Sequence, residues 1–458
     1  MKLLLWLSHY LAVVWASSNS KSRSHGAFLT PLIQSENFTE ARNASSVDFF
    51  MEHAGVEAHS GYITVQNGSH LYFLLLKAPE GIRDKAPLIL WLQGGPGKSG
   101  FFGQFLENGP LGLDANGTLY NRSCTFQKNA SILYVDYPAG GGLSIIERRS
   151  VLSRSLANVT DDLLRFLQQF YKLFQEFKSI ELYIAGESYG ARAAISLAKR
   201  MLDDCKTIPA GLILSAGFLT PVEESILKVP EFIYQLGLLD AKGRHILAQV
   251  CRNISRAAKT NTTEAALLLG GTFFNFKIGG RPSVFAKLTG YSDQGSILHT
   301  RKPDQVAQYE KYANSTDFKT ALHVHPTVSL EQHRLAIQFA LAPNDYFNNI
   351  TNILQSVLEN FRVLIISGQM DDIFPAVLFQ EYLQNMAWNG SKEFAEAPRL
   401  PWKTLKREEE LAGYVKKAGN VVDAFVLKAG HNIGLDACDA VYDLVYRFIS
   451  NISYTNPQ

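Results

Sequence analysis

Three kinds of side chain in this 458-residue sequence have the chemistry to cleave an acyl bond together: a serine in a glycine-flanked turn, an acid and a histidine. The pentapeptide Gly186-Glu187-Ser188-Tyr189-Gly190 follows the apolar run Glu181-Leu182-Tyr183-Ile184-Ala185 and precedes a helix-forming stretch from Ala191 to Asp203. Strand, tight turn and helix is the context in which G-x-S-x-G holds a serine Oγ out at the top of a sheet. The hydroxyl attacks only when a base takes its proton, and that base needs a carboxylate to fix its tautomer. Around such an elbow the groups follow in chain order serine, acid, histidine. Arg362-Val363-Leu364-Ile365-Ile366-Ser367 reads as a strand that runs into Gly368-Gln369-Met370-Asp371-Asp372, so either aspartate stands where the acid belongs. Val422 to Leu427 reads as another strand, followed by Lys428-Ala429-Gly430-His431. The negative charge that develops on the reacting carbonyl needs backbone N–H groups on a loop able to approach it. Gln93-Gly94-Gly95-Pro96-Gly97, directly after the apolar run Leu88–Leu92, is that loop.

The elements that position these groups alternate along the chain. Leu88–Leu92, Ile132–Asp136, Leu182–Ala185, Gly211–Ser215, Val363–Ser367 and Ala424–Leu427 read as central strands, with helices at Leu156–Phe174 and Ala191–Leu202 among them. Such alternation predicts an α/β fold, a mostly parallel central sheet flanked by helices. Tyr62–Val65 and Leu71–Lys77, on either side of Asn67-Gly68, predict an N-terminal hairpin. From about Thr220 to Val328 the alternation is interrupted by helical patches and glycine-rich turns, read as an inserted lid. The expected organisation is a signal peptide at 1–16, an N-terminal extension at 17–47, core at 48–219, the lid at 220–328, and core again at 329–458.

Taken together, the chain resembles the serine carboxypeptidases, most closely their vitellogenic-like branch, from about Tyr62 to Phe448. The resemblance rests on Trp91-Leu92-Gln93-Gly94-Gly95-Pro96-Gly97, Glu107-Asn108-Gly109-Pro110, Leu133-Tyr134-Val135-Asp136-Tyr137-Pro138 and Gly186-Glu187-Ser188-Tyr189. It continues through Tyr234-Gln235-Leu236-Gly237-Leu238-Leu239-Asp240, Ala321-Leu322-His323-Val324, Gly368-Gln369-Met370-Asp371 and Ala429-Gly430-His431. It implies an α/β-hydrolase fold, Ser188 as nucleophile, Asp371 rather than Asp372 as acid, and His431 as base. It further implies an oxyanion hole from the N–H groups of Gly95 and Tyr189, and a grip on the substrate's terminal carboxylate by Gln93, Glu107 and Glu187. The implied activity is release of C-terminal amino acids through an acyl-enzyme, with no cofactor. Two acids beside a bound carboxylate must share protons, which favours a mildly acidic working range. The alternatives are an acyltransferase or esterase on the same fold, and a catalytically weak binding or protective protein. Departures from the family pattern motivate the last: Lys98 in the glycine-rich loop, Pro138-Ala139-Gly140-Gly141-Gly142-Leu143-Ser144, Ala191-Arg192-Ala193-Ala194-Ile195, Asn432 and Gly434.

Lys2, the apolar stretch Leu3–Trp15 and Val14-Trp15-Ala16 read as a secretory signal cleaved after Ala16. Thirteen N-x-S/T sequons agree with that route: Asn37, Asn43, Asn67, Asn116, Asn121, Asn129, Asn158, Asn253, Asn261, Asn314, Asn349, Asn389 and Asn451. Four cysteines, Cys124, Cys205, Cys251 and Cys438, suggest two disulfides, with one bridge and two buried thiols as the alternative. The expected product is secreted or lysosomal, without a membrane anchor, and a possible homodimer. A net charge of +2 with no basic cluster gives no reason to expect nucleic acid. His323 and His325 lack acidic or thiol ligands at suitable local spacing, so no metal is expected.

Overall fold

The computed structural model describes residues 26–204, 208–274, 281–324, 328–406 and 409–454. The expected signal peptide lies outside them, as do Cys205 and His325. Twelve strands form one sheet. In chain order they are β1 (Ser46–Val47), β2 (Ala58–Gln66), β3 (Ser69–Leu76), β4 (Leu88–Leu92), β5 (Ser131–Asp136) and β6 (Ile145–Ile146). Then come β7 (Leu182–Glu187), β8 (Gly211–Ser215), β9 (Arg362–Gly368), β10 (Arg399–Trp402), β11 (Gly413–Ala418) and β12 (Val421–Val426). Across the sheet the order is β1-β2-β3-β5-β4-β7-β8-β9-β12-β11-β10, with β6 paired to β3.

From β5 through β4, β7, β8 and β9 to β12 every pairing is parallel. The margins are antiparallel, so the sheet is mixed, with its parallel part at the centre. Strands β4, β5, β7, β8 and β12 are buried at every position. A parallel strand covered on both faces has no wet side, hence the unbroken apolar runs in the sequence. Leu88, Leu90 and Leu92 of β4 enter one core and Ile89 and Trp91 the other, as the two-residue period of a strand requires. Helices α1 (Leu156–Leu173) and α2 (Tyr189–Asp204) cover the first face, through Phe166, Phe170 and Ile195. Helix α3 (Cys438–Ile449) covers the second, through Leu444 and Phe448. Asn67-Gly68 turns β2 into β3, with Gly68 at φ +80°.

Neighbouring strands β8 and β9 are joined by a long helical excursion, which includes Ala241–Ala258, Thr262–Thr272 and Asp304–Ala313. None of its described residues joins the sheet. Cys124 and Cys438 are bonded, whereas Cys251 is a free buried thiol. The expectation of two bridges therefore reduces to one among the described residues. Cys251 is fully enclosed in the apolar core, with no bonded sulfur among the described residues. Among the described residues no helix is long and apolar enough to cross a membrane.

Candidate active site

The C-terminal ends of β4, β7, β9 and β12 lie along one edge of the parallel sheet, and each delivers a different group. Strand β7 ends at Glu187, and Ser188 follows at φ +58°. A non-glycine residue there is strained. It is held by Ser188 N–H donating to Ser215 O (2.9 Å) and by Phe218 N–H donating to Ser188 O (3.0 Å). Helix α2 begins at once, so the Tyr189 N–H lies in its first turn, unsatisfied within the helix. Side chains at the flanking glycines are sterically forbidden. A Cβ on Gly186 would fall 2.2 Å from Gly190 O, and one on Gly190 would fall 1.9 Å from Leu92 O.

Asp371 and His431 come from the loops after β9 and β12. His431 Nδ1 and Asp371 Oδ2 are 2.9 Å apart. The other carboxylate oxygen, Oδ1, accepts from the Ile373 N–H (2.8 Å) and the Phe374 N–H (2.9 Å). Burial alone would lower the His431 pKa, but the charge and hydrogen bond of Asp371 outweigh it. Glu187 adds to the rise and Lys98 opposes it, leaving the imidazole above its ordinary 6.5. Asp372 is turned away and accepts from the Gly295 N–H at 2.7 Å. Burial, then the neighbouring Asp371 charge, push its carboxyl up to about 7. Of the two aspartates left open by the strand pattern, Asp371 is the one bonded to the histidine.

The glycine-rich loop after β4 packs directly on the serine. A Cβ on Gly94 would lie 2.7 Å from Ser188 Cβ and 3.2 Å from its Oγ. Gly95 takes φ +116°, and its carbonyl accepts from Gln338 Nε2 at 2.9 Å, which fixes the peptide plane. Gln93, Glu107 and Glu187 also converge. Gln93 Nε2 donates to Glu187 Oε1 (2.8 Å), while Gln93 Oε1 is pinned by Trp91 Nε1 (2.8 Å). Glu107 sits on a π-helical turn, Gly103–Asn108, and is 2% exposed. No donor reaches either of its oxygens among the described residues. Burial first, and then the nearby Glu187 carboxylate, hold its pKa well above 4.5; Lys98 and Arg122 oppose them.

Several contacts here carry no local sequence signal. Asn432 Nδ2 donates a second bond to Glu187 Oε1 at 2.7 Å, which joins the histidine loop to the elbow. Gly434 leaves room for Glu107, since a Cβ there would meet Glu107 Cβ at 2.7 Å. Behind the elbow, Tyr189 Oη donates to Asp345 Oδ2 (2.8 Å), and Arg192 Nη2 pairs with Asp345 Oδ1 (3.1 Å). Both charged partners are 1% exposed in their side chains. From the helical excursion, Gly295 accepts from the His431 N–H and Ile297 N–H donates to Met370 O (3.1 Å).

The remaining expected sites are spread over the surface. Twelve of the thirteen sequon asparagines are exposed. Asn129 is half-buried, and its Nδ2 donates to Tyr442 Oη at 2.7 Å. His323 Nδ1 faces the Oγ and O atoms of Ser60, both at 3.4 Å.

Comparison with known proteins bears on the family and the fold. The serine carboxypeptidase family profile matches residues 50–451. A venom serine carboxypeptidase of Apis mellifera is 31% identical over 435 residues, covering 93% of this chain and 91% of its own length. A probable serine carboxypeptidase of Homo sapiens, CPVL, is 31% identical over 430 residues, covering 92% and 89%. The prohormone-processing carboxypeptidase Kex1 of Saccharomyces cerevisiae superposes with a TM-score of 0.72 over 91% of this chain and 98% of that one. At 21% identity that last likeness speaks for the fold.

Proposed function

Because the chain belongs to the serine carboxypeptidase family, α/β-hydrolases that act on peptide bonds, we propose that Ser188, Asp371 and His431 are its catalytic triad. The observation that carries this reading is the 2.9 Å bond between His431 Nδ1 and Asp371 Oδ2, on loops that share a sheet edge with the Ser188 elbow. With Nδ1–H committed to Asp371, Nε2 is the free base. It takes the Ser188 proton as Oγ attacks the carbonyl of the last peptide bond. The tetrahedral oxyanion is held by the N–H groups of Gly95 and Tyr189. His431 then gives its proton to the departing amine, and the terminal amino acid leaves. Water activated by the same imidazole hydrolyses the acyl-enzyme and restores Ser188.

Exopeptidase specificity comes from Gln93, Glu107 and Glu187. A protonated Glu107 is a hydrogen-bond donor to the terminal carboxylate; burial and the neighbouring Glu187 carboxyl keep the proton on the pair, and no donor among the described residues reaches the Glu107 oxygens, which supports that role. Residues 220–328 act as the lid, through the contacts of Gly295 and Ile297 with the acid and base loops. Twelve exposed sequons and the Cys124–Cys438 bridge support passage through the secretory pathway to a secreted or lysosomal destination.

The test is release of the terminal amino acid from an N-blocked dipeptide, with Ser188→Ala and a C-terminally amidated peptide alongside. Release should vanish in the variant and for the amide. Turnover retained by Ser188→Ala would sink the assignment.

A further inference from the structure

Lys98 stands three residues beyond Gly95, on the loop that packs against Ser188. Its backbone N–H donates to Gly94 O at 3.2 Å. Its ammonium lies 2.9 Å from the ring centroid of Phe102 and its side chain is partly exposed. Phe102, which the ammonium covers, leads into the π-helical turn that carries Glu107. Among the described residues no carboxylate lies within ion-pairing distance of Lys98. Glu331, on a neighbouring turn, accepts from the Ser99 N–H (3.1 Å) and Arg334 Nη1 (2.8 Å).

The charged groups around this ammonium are Arg334, Glu331, Glu107, Glu187, His431 and Asp293. Burial, then Arg334, bring its pKa down to about 8, against the pull of Glu187, Glu107 and Glu331. A partly desolvated cation without a counter-ion is costly unless something anionic arrives. Within reach of its charge, Glu107 offers a buried carboxyl whose two oxygens meet no donor among the described residues. A proton donor and a cation that feels its charge, with no ion-pair partner among the described residues, are together complementary to a carboxylate.

We propose that Lys98 is the counter-ion of the substrate's terminal carboxylate, acting with the hydrogen-bonding grip of Glu107, Gln93 and Glu187. The proposal rests on the carboxypeptidase reading above and adds to it a charged contact that neutral donors do not supply. Selection for a free C-terminus is then electrostatic as well as geometric, and sensitive to ionic strength.

Binding of an N-blocked peptide and of its C-terminal amide is measured by calorimetry on the Ser188→Ala protein, with Lys98 kept, Lys98→Met and Lys98→Arg. Lys98→Met should weaken the free acid on the order of ten- to hundred-fold and leave the amide unchanged. Lys98→Arg should recover most of that loss. An equal loss for acid and amide would assign Lys98 to loop packing and overturn the proposal. So would no loss at all, or a loss confined to peptides ending in aspartate or glutamate, where the cation reads a side chain instead. Failure of the carboxypeptidase reading shows separately, as the Ser188 protein releasing no terminal amino acid while the acid-over-amide binding preference persists.

Discussion

Glu107 and His431 titrate in opposite senses with respect to the proposed reaction. His431 works as a base only when neutral, and its pKa is raised above 6.5, so kcat/KM should climb as pH rises through that raised value. Glu107 donates only while protonated, and Lys98 loses its charge at about 8, so binding should weaken on the alkaline side. The profile is then a bell, displaced upward from the mildly acidic range that paired carboxylates alone suggest. A Glu107→Gln variant keeps a donor that does not titrate, so its alkaline limb should move to that of Lys98. The measurement is kcat/KM from about pH 4.5 to about pH 9; a flat wild-type profile would remove both residues from the scheme. A separate prediction concerns Asn129. Its Nδ2 is already spent on Tyr442 in a half-buried setting, so glycopeptide mass spectrometry should find this sequon empty while exposed ones carry glycans.

The elbow and the helix behind it form one unit with the Arg192–Asp345 pair. Tyr189 supplies a proposed oxyanion donor through its backbone and anchors itself to Asp345 through its hydroxyl. Replacing Arg192 by Met would leave the Asp345 charge buried and unpaired, at a cost of about 3–5 kcal/mol. Tyr189→Phe removes only the anchor: the backbone N–H stays but is held less firmly, so kcat should fall with KM nearly unchanged, because that donor serves the transition state rather than binding. Parallel changes in both constants would point to a general loss of packing. Elements of this kind differ sharply in how legible they are in sequence. The buried parallel strands declare themselves as apolar runs, and α1 ends within one residue of the expected boundary. Strands β10 and β11 gave no such signal: Arg399–Trp402 is largely exposed and contains Pro401, as an edge strand tolerates. Asp371 and Asp372 share one loop, where no period exists to tell them apart. The Arg192–Asp345 and Asn432–Glu187 contacts join residues 153 and 245 apart, so only the fold reveals them.

At the scale of the whole molecule, the Cys124–Cys438 bridge closes the largest loop available to it. It spans 314 residues, tying the segment just before β5 to the first turn of α3, seven residues after His431. Both ends pack on the same face of the sheet, through Phe126 and Val441. A cross-link that long removes much of the freedom of the unfolded chain, and the loop-entropy estimate is about 6 kcal/mol. Replacing both cysteines by serine leaves no unpaired thiol at the site and no change in the sheet that carries the proposed triad. The double variant should therefore unfold at a clearly lower denaturant concentration while its kcat, measured well below the transition, stays close to wild type. Cys251 supplies the internal control. Its burial pushes the thiol pKa up to about 12, so in the folded protein it should resist alkylation and neither exchange with the bridge nor replace it. Should kcat fall together with stability, the bridge would be holding the His431 loop in register as well as restraining the unfolded chain. A midpoint that does not move would mean that the unfolded chain gains no freedom from the cut, against the entropy argument.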